Sequence, residues 1–248
     1  YSKYANCQYL VHGLFESLSG YSDTLCNMSN FLGDVESASV TTVSSIISMA
    51  EIIAREGANL QKGMNYRKDG PLLSVFLVLP THDGAYTDEW NPKTHLYTYE
   101  GHDSTTVDAG GKTQDQLLMY ESGKLTENGK FYKAANEYKD GVRKTPLPVQ
   151  IYEKLDAGVW YDKGIFELVA VRGVKVDGRK RYKFDLRPVG DVTTERMMSV
   201  VQKIAVWESD KGRCSTCKKQ EGLRIVTIGR GKPHLLCRTH RGGSGLLG

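Results

Sequence analysis

The chain has 248 residues, of which 40% are hydrophobic and 25% are charged, and its net charge is +4. No apolar run approaches the ~18 residues of a membrane-spanning helix, which excludes a membrane protein. The first ~30 residues lack the basic-then-apolar layout of a secretion signal, and five cysteines suit a reducing compartment better than a disulfide framework. The sequence therefore predicts an intracellular protein without a membrane partner, cytoplasmic at the nucleoid if bacterial and nuclear if eukaryotic.

The basic and acidic residues are distributed unevenly along the chain. Residues 172–241 hold 18 lysines and arginines against 7 acids, whereas the remainder holds 15 against 22. A basic block of this kind predicts a polyanionic partner, most often nucleic acid. The alternative is a cationic face that serves only solubility.

Three segments carry apolar residues at helical spacing. Residues 41–55 follow hydroxyl residues that can cap a helix and precede Gly57, which can end it. A second helix is predicted over 130–138, and a third, capped and amphipathic, over 190–206. The third helix would link two modules, with domain boundaries near 190 and 210.

Short segments between these helices carry the apolar and β-branched patterns of strands, bounded by Gly, Pro and Asp turns. Their spacing predicts a curved sheet or barrel, so the expected fold class is α+β. The predicted strands cover 72–79, 96–99, 149–152, 164–169 and 182–186.

Two pairs of potential metal ligands lie near the C-terminus. Cys214 and Cys217 are separated by two residues, as are Cys237 and His240, with nineteen residues between the pairs. This spacing predicts one structural, tetrahedral Zn²⁺ site, and the alternative is four unrelated residues in a reduced protein. A strand at 223–227 and a cationic turn at 229–232 are predicted between the pairs.

The ligand pairs resemble the zinc frame of treble-clef and HNH-type nuclease modules. That resemblance implies a catalytic His on the intervening strand beside a Mg²⁺ site. The strand at 223–227 has no His or Asp, and the imidazole nearest to it is His234, just before the second pair. His234 is therefore a weak candidate for a general base, and Mg²⁺ is expected only if the chain is a nuclease.

A series of motifs in the middle of the chain resembles, in its order, an SRA (SET and RING associated, or YDG) domain over roughly residues 33–189. The motifs are Tyr86-Thr-Asp88-Glu89, Tyr97-Thr-Tyr99-Glu100-Gly101, Asp115-Gln116-Leu117, Asn128-Gly129, Pro148-Val149-Gln150-Ile151-Tyr152, Tyr161-Asp162-Lys163-Gly164-Ile165-Phe166 and Tyr182-Lys183-Phe184-Asp185-Leu186. The resemblance implies an SRA-like curved β-barrel, similar to PUA folds and flanked by helices, that binds duplex DNA and flips a modified cytosine into a pocket. In the sixth of these motifs, Lys163 is an extra residue where the family has Tyr-Asp-Gly, and it is interpreted as a variant of a tight turn.

The resemblance also implies which residues form the base pocket. Tyr86 and Tyr99 match the aromatic pair that stacks on the flipped base. Asp88, or Glu89 in the alternative register, would accept a hydrogen bond from the cytosine amino group. Glu100 stands where the family has a small hydroxyl residue; it would contact a substituent on the base or lie away from it.

Contacts to the DNA backbone are expected from lysines and arginines of the same region, although each of them is equally compatible with a solvated surface role. The candidates are Lys112, Lys124, Lys130, Lys133, Arg179, Lys180, Arg181 and Lys183.

Three functions follow from these observations. The first is a reader of 5-methyl- or 5-hydroxymethylcytosine in duplex DNA, belonging to a modification-dependent restriction system. The second is a complete modification-dependent endonuclease with a divergent HNH module, and the third is a zinc-containing adaptor that binds DNA without base flipping. A homodimer is left open. The domain division is a segment of unassigned role (1–32), the SRA-like domain (33–189), a linker helix (190–209), the zinc module (210–241) and a flexible tail (242–248).

Overall fold

The structure is a computed structural model that describes residues 46–57, 60, 63–68, 72–79, 88–103 and 114–240. These residues belong to one unit that spans residues 41–248. The segments 1–32 and 242–248, with Tyr86 and Lys112, lie outside the described residues. Within the described part, no helix is long and apolar enough to cross a membrane.

Strands dominate the described residues, with helices packed on the sheet and at the C-terminal side. The strands are β1 (Ile46–Ser48), β2 (Met64–Asn65), β3 (Ser74–Val78), β4 (Glu89–Asn91), β5 (Leu96–Glu100), β6 (Leu147–Asp156), β7 (Val159–Val176), β8 (Arg179–Pro188), β9 (Arg224–Thr227) and β10 (Pro233–Leu236). The helices are α1 (Met49–Glu56), α2 (Glu127–Lys139), α3 (Thr194–Met197) and α4 (Val200–Ser209). The α+β class is confirmed.

The main sheet is open. Its order is β2-β3-β6-β7-β8-β5-β4, with β1 paired to the first residues of β7, and β9 with β10 forms a separate hairpin. The prediction of a closed barrel was therefore wrong. The two end strands have only two and three residues, and no ladder joins them within the described part of the chain, so too few backbone groups are available to close the sheet.

The Tyr161-Asp162-Lys163-Gly164 motif lies inside β7, and the prediction of a tight turn there was wrong. Opposite Ile151 and Tyr152 of β6, the register shifts so that Lys163 is the unpaired residue of a β-bulge. Gly164 has a positive φ of 88°, a conformation that glycine adopts without strain. The extra residue therefore bends the strand and re-aims a side chain instead of reversing the chain.

Helix ends differ from the predictions where tertiary pairing or a new cap intervenes. Residues Ile46–Ser48 pair with β7, so the predicted helix over 41–55 starts at Met49, where the Ser48 side chain and Glu51 form a capping box. The predicted single helix over 190–206 is two helices, because Ser199 starts a new capping box. The helix predicted over 130–138 is confirmed as α2.

Three clusters of buried apolar side chains hold the fold together. The largest lies between the main sheet and α2 and contains Phe76, Phe131 and Phe184. The second joins Leu155 and Tyr161 of the main sheet to the interior of the zinc-ligand segment. The third lies beneath α1. Because the second cluster draws on both regions, the sheet and the C-terminal segment share buried apolar surface.

Candidate functional site

Asp88 lies immediately before β4, and its side chain is half-buried. Its Oδ1 accepts a hydrogen bond of 2.7 Å from the backbone N–H of Glu100 on β5. Burial raises the pKa of Asp88 to about 7; the nearby carboxylates of Glu100 and Glu153 act in the same direction, and the hydrogen bond and Lys183 oppose it. Near neutral pH this carboxyl group can therefore both donate and accept hydrogen bonds.

The Glu100 carboxylate is buried against the cations of β8. It accepts from Arg181 at 3.0 Å and from Lys183 at 2.5 Å, and Glu100 is 1% exposed. Two charge-assisted hydrogen bonds compensate the desolvation of this carboxylate. The structure thus places the Asp88 carboxyl group in direct contact with the Glu100 backbone.

The aromatic residues of β5 belong to the main core cluster. Tyr99 stacks on Phe76, with ring centroids 4.3 Å apart and planes inclined by 27°, and it is 3% exposed. Phe76 therefore fixes the plane of the Tyr99 ring. Glu89, the alternative reader of the cytosine edge, is exposed on β4 opposite Thr98.

Two other motif positions hold the chain around the end of β5. Gln116 donates to the Gly101 carbonyl at 2.5 Å and accepts from the Tyr182 N–H at 2.7 Å. Asn128 accepts from the His102 N–H at 2.9 Å and donates back to the His102 carbonyl at 2.7 Å. These residues are scaffold for the candidate pocket, a role that the motif order alone does not reveal.

The predicted DNA-backbone residues fall into two groups. Arg179 makes two hydrogen bonds to Asp103, at 2.9 and 3.1 Å, and is 4% exposed; Arg181 and Lys183 hold Glu100 as described. Lys130 forms an ion pair with Glu127 on its own helix. The exposed candidates are Lys124, Lys133 and Lys180.

A buried ionic triad lies between the sheet and α4, and the sequence analysis missed it. Glu153 of β6 accepts from Lys163 at 2.6 Å and also from Lys203 of α4. All three side chains are at most 1% exposed. Burial raises the pKa of Glu153, but the two ammonium groups outweigh it and hold the pKa below its usual value. Burial and the neighbouring Lys163 charge lower the pKa of Lys203 well below the ordinary lysine value.

The signal for this triad was weak but present. Lys203 is spaced three residues after Val200 and four before Trp207, on the apolar stripe of α4, and a lysine at such a position needs a buried partner. A second anchor of the same junction is the buried Arg196 of α3, which donates to the carbonyls of Lys163 at 2.8 Å and Ile165 at 2.6 Å. The linker helices are therefore bonded to both sides of the β7 bulge.

The four predicted metal ligands come together. One ligand atom from each of Cys214, Cys217, Cys237 and His240 lies within 4.8 Å of the others. The Sγ atoms of Cys217 and Cys237 are 3.5 Å apart, and His240 Nδ1 is 3.6 Å from Cys214 Sγ and 3.3 Å from Cys237 Sγ. These separations are close to the edges of a tetrahedron with Zn–S and Zn–N bonds of about 2.3 and 2.0 Å.

The pKa of Cys214 also suits zinc. Burial raises the pKa of the Cys214 thiol, but backbone N–H groups of the surrounding knuckle outweigh it and lower the pKa to about 5. The thiolate is the form that binds the metal. A Cys₃His donor set with tetrahedral spacing therefore fits a structural Zn²⁺.

His234 lies on β10, outside the four-ligand cluster. It is 46% exposed, and its Nδ1 is 3.6 Å from the carboxylate of Asp210. The same carboxylate accepts from the Leu235 N–H at 2.6 Å, which fixes its position. The imidazole is thus accessible and faces one anchored acid.

Comparison with known proteins gives matches among solved structures, whereas no protein-family profile and no curated protein matches the chain. The SUVH5 SRA domain in complex with fully methylated CG DNA is 20% identical over 59% of this chain and 86% of that one, with a TM-score of 0.40. SUVH5 SRA bound to fully hydroxymethylated CG DNA is 21% identical, covering 59% and 87%, at 0.40. KRYPTONITE in complex with mCHG DNA and SAH is 22% identical, covering 62% and 34%, at 0.41. The chain paths agree only in part, and the assignment of function rests on the residues of the site.

Proposed function

We propose that this protein binds duplex DNA and reads a modified cytosine, 5-methyl- or 5-hydroxymethylcytosine, that is flipped out of the stack. The ordered motifs of residues 86–186 and the basic character of residues 172–241 support the proposal. Asp88 carries it, because a half-buried carboxyl group whose pKa is about 7 is suited to a heterocyclic base at neutral pH.

The chemistry of recognition follows from the protonation of Asp88. A neutral carboxylic acid donates one hydrogen bond and accepts others, so it complements a cytosine edge, donating to ring N3 and accepting from the N4 amino group. An ionised carboxylate would still accept from N4 but would oppose the N3 lone pair. Base recognition by Asp88 is therefore strongest while this group holds its proton.

Stacking supplies the rest of the base contact in this proposal. Tyr86 is assigned to one face of the base. Its predicted partner Tyr99 is 3% exposed and already stacks on Phe76, so a base could reach the other face of Tyr99 only if core side chains move. Each base–aromatic stack is worth ~1–3 kcal/mol, which offsets the few kcal/mol of unpairing the base. The Glu100 carboxylate supports the pocket by orienting Arg181 and Lys183 and by presenting its N–H to Asp88.

The test is a binding titration at fixed salt with one duplex that carries cytosine, 5-methylcytosine or 5-hydroxymethylcytosine at a single site. We expect at least tenfold preference for a modified duplex, which corresponds to about 1.4 kcal/mol. Asp88→Ala should remove the preference, because it deletes both the donor and the acceptor that hold the flipped base, whereas the exposed control Glu89→Gln should keep it. Equal binding of all three duplexes by the unmodified protein would leave the adaptor function, which needs no base flipping.

A second candidate function is DNA cleavage, favoured by the exposed His234 imidazole beside Asp210. A histidine beside a carboxylate is a candidate general base. Incubation of a modified duplex with the protein and Mg²⁺ tests it, with product length as the readout. Cleavage that His234→Ala abolishes, at unchanged DNA affinity, would establish the nuclease. If the DNA stays intact, the protein is a base reader without nuclease activity.

A further inference from the structure

The C-terminal segment presents a surface of exposed cations around the β9–β10 hairpin. Over 210–240 the sequence has two acids, Asp210 and Glu221, and Asp210 is anchored to the hairpin backbone. Among the described residues no ion pair engages Arg230 or Lys232. The exposed cations of this surface are Lys211, Arg213, Lys218, Lys219, Arg230, Lys232 and Arg238.

The tip of the hairpin combines these charges with an exposed apolar side chain. Ile228 begins the five-residue loop and is 66% exposed. Gly229 follows with a positive φ of 60°, and Arg230 and Lys232 complete the loop with Gly231 between them. Because Gly229 and Gly231 have no side chains beside these cations, the tip is narrow. An apolar wedge flanked by cations on a narrow ribbon is suited to the minor groove of DNA.

The hairpin is held firmly against the rest of the fold. The Thr227 N–H donates to the Glu195 carboxylate of α3 at 2.8 Å, and the Ile46 N–H of β1 donates to the Leu223 carbonyl at 3.2 Å. Ile225 and Leu235 lie in the apolar cluster shared with the main sheet. Since these contacts order the ribbon before binding, docking it on DNA costs little conformational entropy.

Helix α3, which carries Glu195, lies between the hairpin and β4. A groove of about 420 Å³ lies between Trp90 of β4 and His95 of the β4–β5 turn on one side and Met197 and Met198 at the end of α3 on the other. Glu195, two residues before Met197, is the residue that holds the hairpin. Helix α3 therefore lines the groove beside β4 and also holds the hairpin.

We propose that the tip of the β9–β10 hairpin is a second DNA contact, in which Arg230 and Lys232 bind backbone phosphates and Ile228 enters the minor groove. The partner class, duplex DNA, rests on the proposed function, but this contact reads the backbone and groove and is independent of cytosine modification. It would increase affinity for every duplex and leave discrimination to the base pocket.

The first experiment measures the salt dependence of binding with the full chain loaded with zinc. The double variant Arg230→Ala/Lys232→Ala should reduce the slope of log K against log salt by about 1.8, since each lost phosphate contact removes about 0.9. The reduction should be equal for modified and unmodified duplexes. The matched control is Lys139→Ala/Lys144→Ala, two exposed lysines outside the zinc segment, which should keep the slope.

The second experiment isolates the apolar contact. Ile228→Ala should weaken binding about tenfold without changing the salt slope, and netropsin, which occupies the minor groove, should compete with the unaltered protein more strongly than with this variant. Val142→Ala, at a position 74% exposed on another loop, is the control and should bind normally.

The outcomes separate this proposal from the base-reading function. A reduced slope in the double variant supports the hairpin contact even if all duplexes bind equally, a result that would overturn base reading alone. An unchanged slope, at full zinc content, overturns the hairpin contact even if modified DNA is preferred.

Discussion

The cations of β8 and those around the β9–β10 hairpin lie in opposite environments. On β8, Arg179, Arg181 and Lys183 are bonded to buried carboxylates, so their charge is used inside the protein. Around the hairpin, Arg230 and Lys232 are exposed. A cluster of positive charge in a sequence thus indicates a surface that binds polyanions only where the fold does not pair those cations with acids inside the protein.

The difference follows from how each region is stabilised. The sheet has a large apolar core and can bury ionic groups, provided that each one keeps its partner. The C-terminal segment has a small core and four metal ligands, and a bound Zn²⁺ would supply folding free energy that its own apolar residues do not. Its cations can therefore remain at the surface.

Of the changes predicted for these two regions, loss of the metal should lower stability the most. Cys214→Ser should reduce bound zinc from one to near zero per chain and lower the thermal midpoint by at least roughly 15 °C, because the sheet shares its second core cluster with the zinc segment. Zinc analysis and thermal unfolding measure both. Ser215→Ala, next to the ligand, is the control; an unaltered midpoint in the zinc-free variant would show that the two regions are energetically separate.

Loss of the shared carboxylate in the buried triad should come next. Glu153→Gln leaves Lys163 and Lys203 buried without an anion, which costs about 3–5 kcal/mol of unfolding free energy. Glu167→Gln removes the carboxylate of a pair whose Arg187 side chain is 53% exposed, and should cost at most about 1 kcal/mol. Urea unfolding of both variants decides the point, and equal losses would contradict the assignment of Glu153 as a buried anchor.

The pH dependence of stability should reveal Asp88. Its pKa is about 7 in the folded chain and about 3.9 in the unfolded chain. Between these values the folded state binds more protons, so stability is highest at low pH and falls as pH rises, by roughly 2 kcal/mol from pH 5 to pH 7. Asp88→Asn should remove this component from urea-unfolding curves; an identical pH profile in the variant would contradict the raised pKa.

The smallest effect is expected at Lys180, the exposed member of the β8 cations. Its ammonium lies 5.3 Å from the centroid of the Tyr182 ring and is accessible to a phosphate. Lys180→Ala should leave the unfolding midpoint unchanged and reduce the salt slope of DNA binding by about 0.9. An unchanged slope would show that Lys180 does not contact DNA phosphates.

Local patterns predicted the elements whose stability is local. The helix predicted over 130–138 agrees with α2, and the Cys and His spacing agrees with the clustered ligands. The β7 bulge, by contrast, depends on pairing with β6, and the break between α3 and α4 depends on Ser199 acting as a cap where a continuous helix also fits the apolar pattern. The bulge has no signature within a few residues of sequence. The Ser199–Gln202 capping box is a short local pattern, but the apolar spacing of 190–206 also fits one continuous helix.

The sequence by itself determined the α+β class, most strand positions, the metal-ligand set and the basic C-terminal region, because hydrophobic period, turn residues and ligand spacing are encoded over short distances. The tertiary structure decided that the sheet is open, that Asp88 lies against the Glu100 N–H, and that Lys163 and Lys203 share Glu153. It also decided which cations remain exposed. These properties depend on contacts between residues far apart in the chain, where burial and partner geometry, and not residue type, set the charge that each group presents.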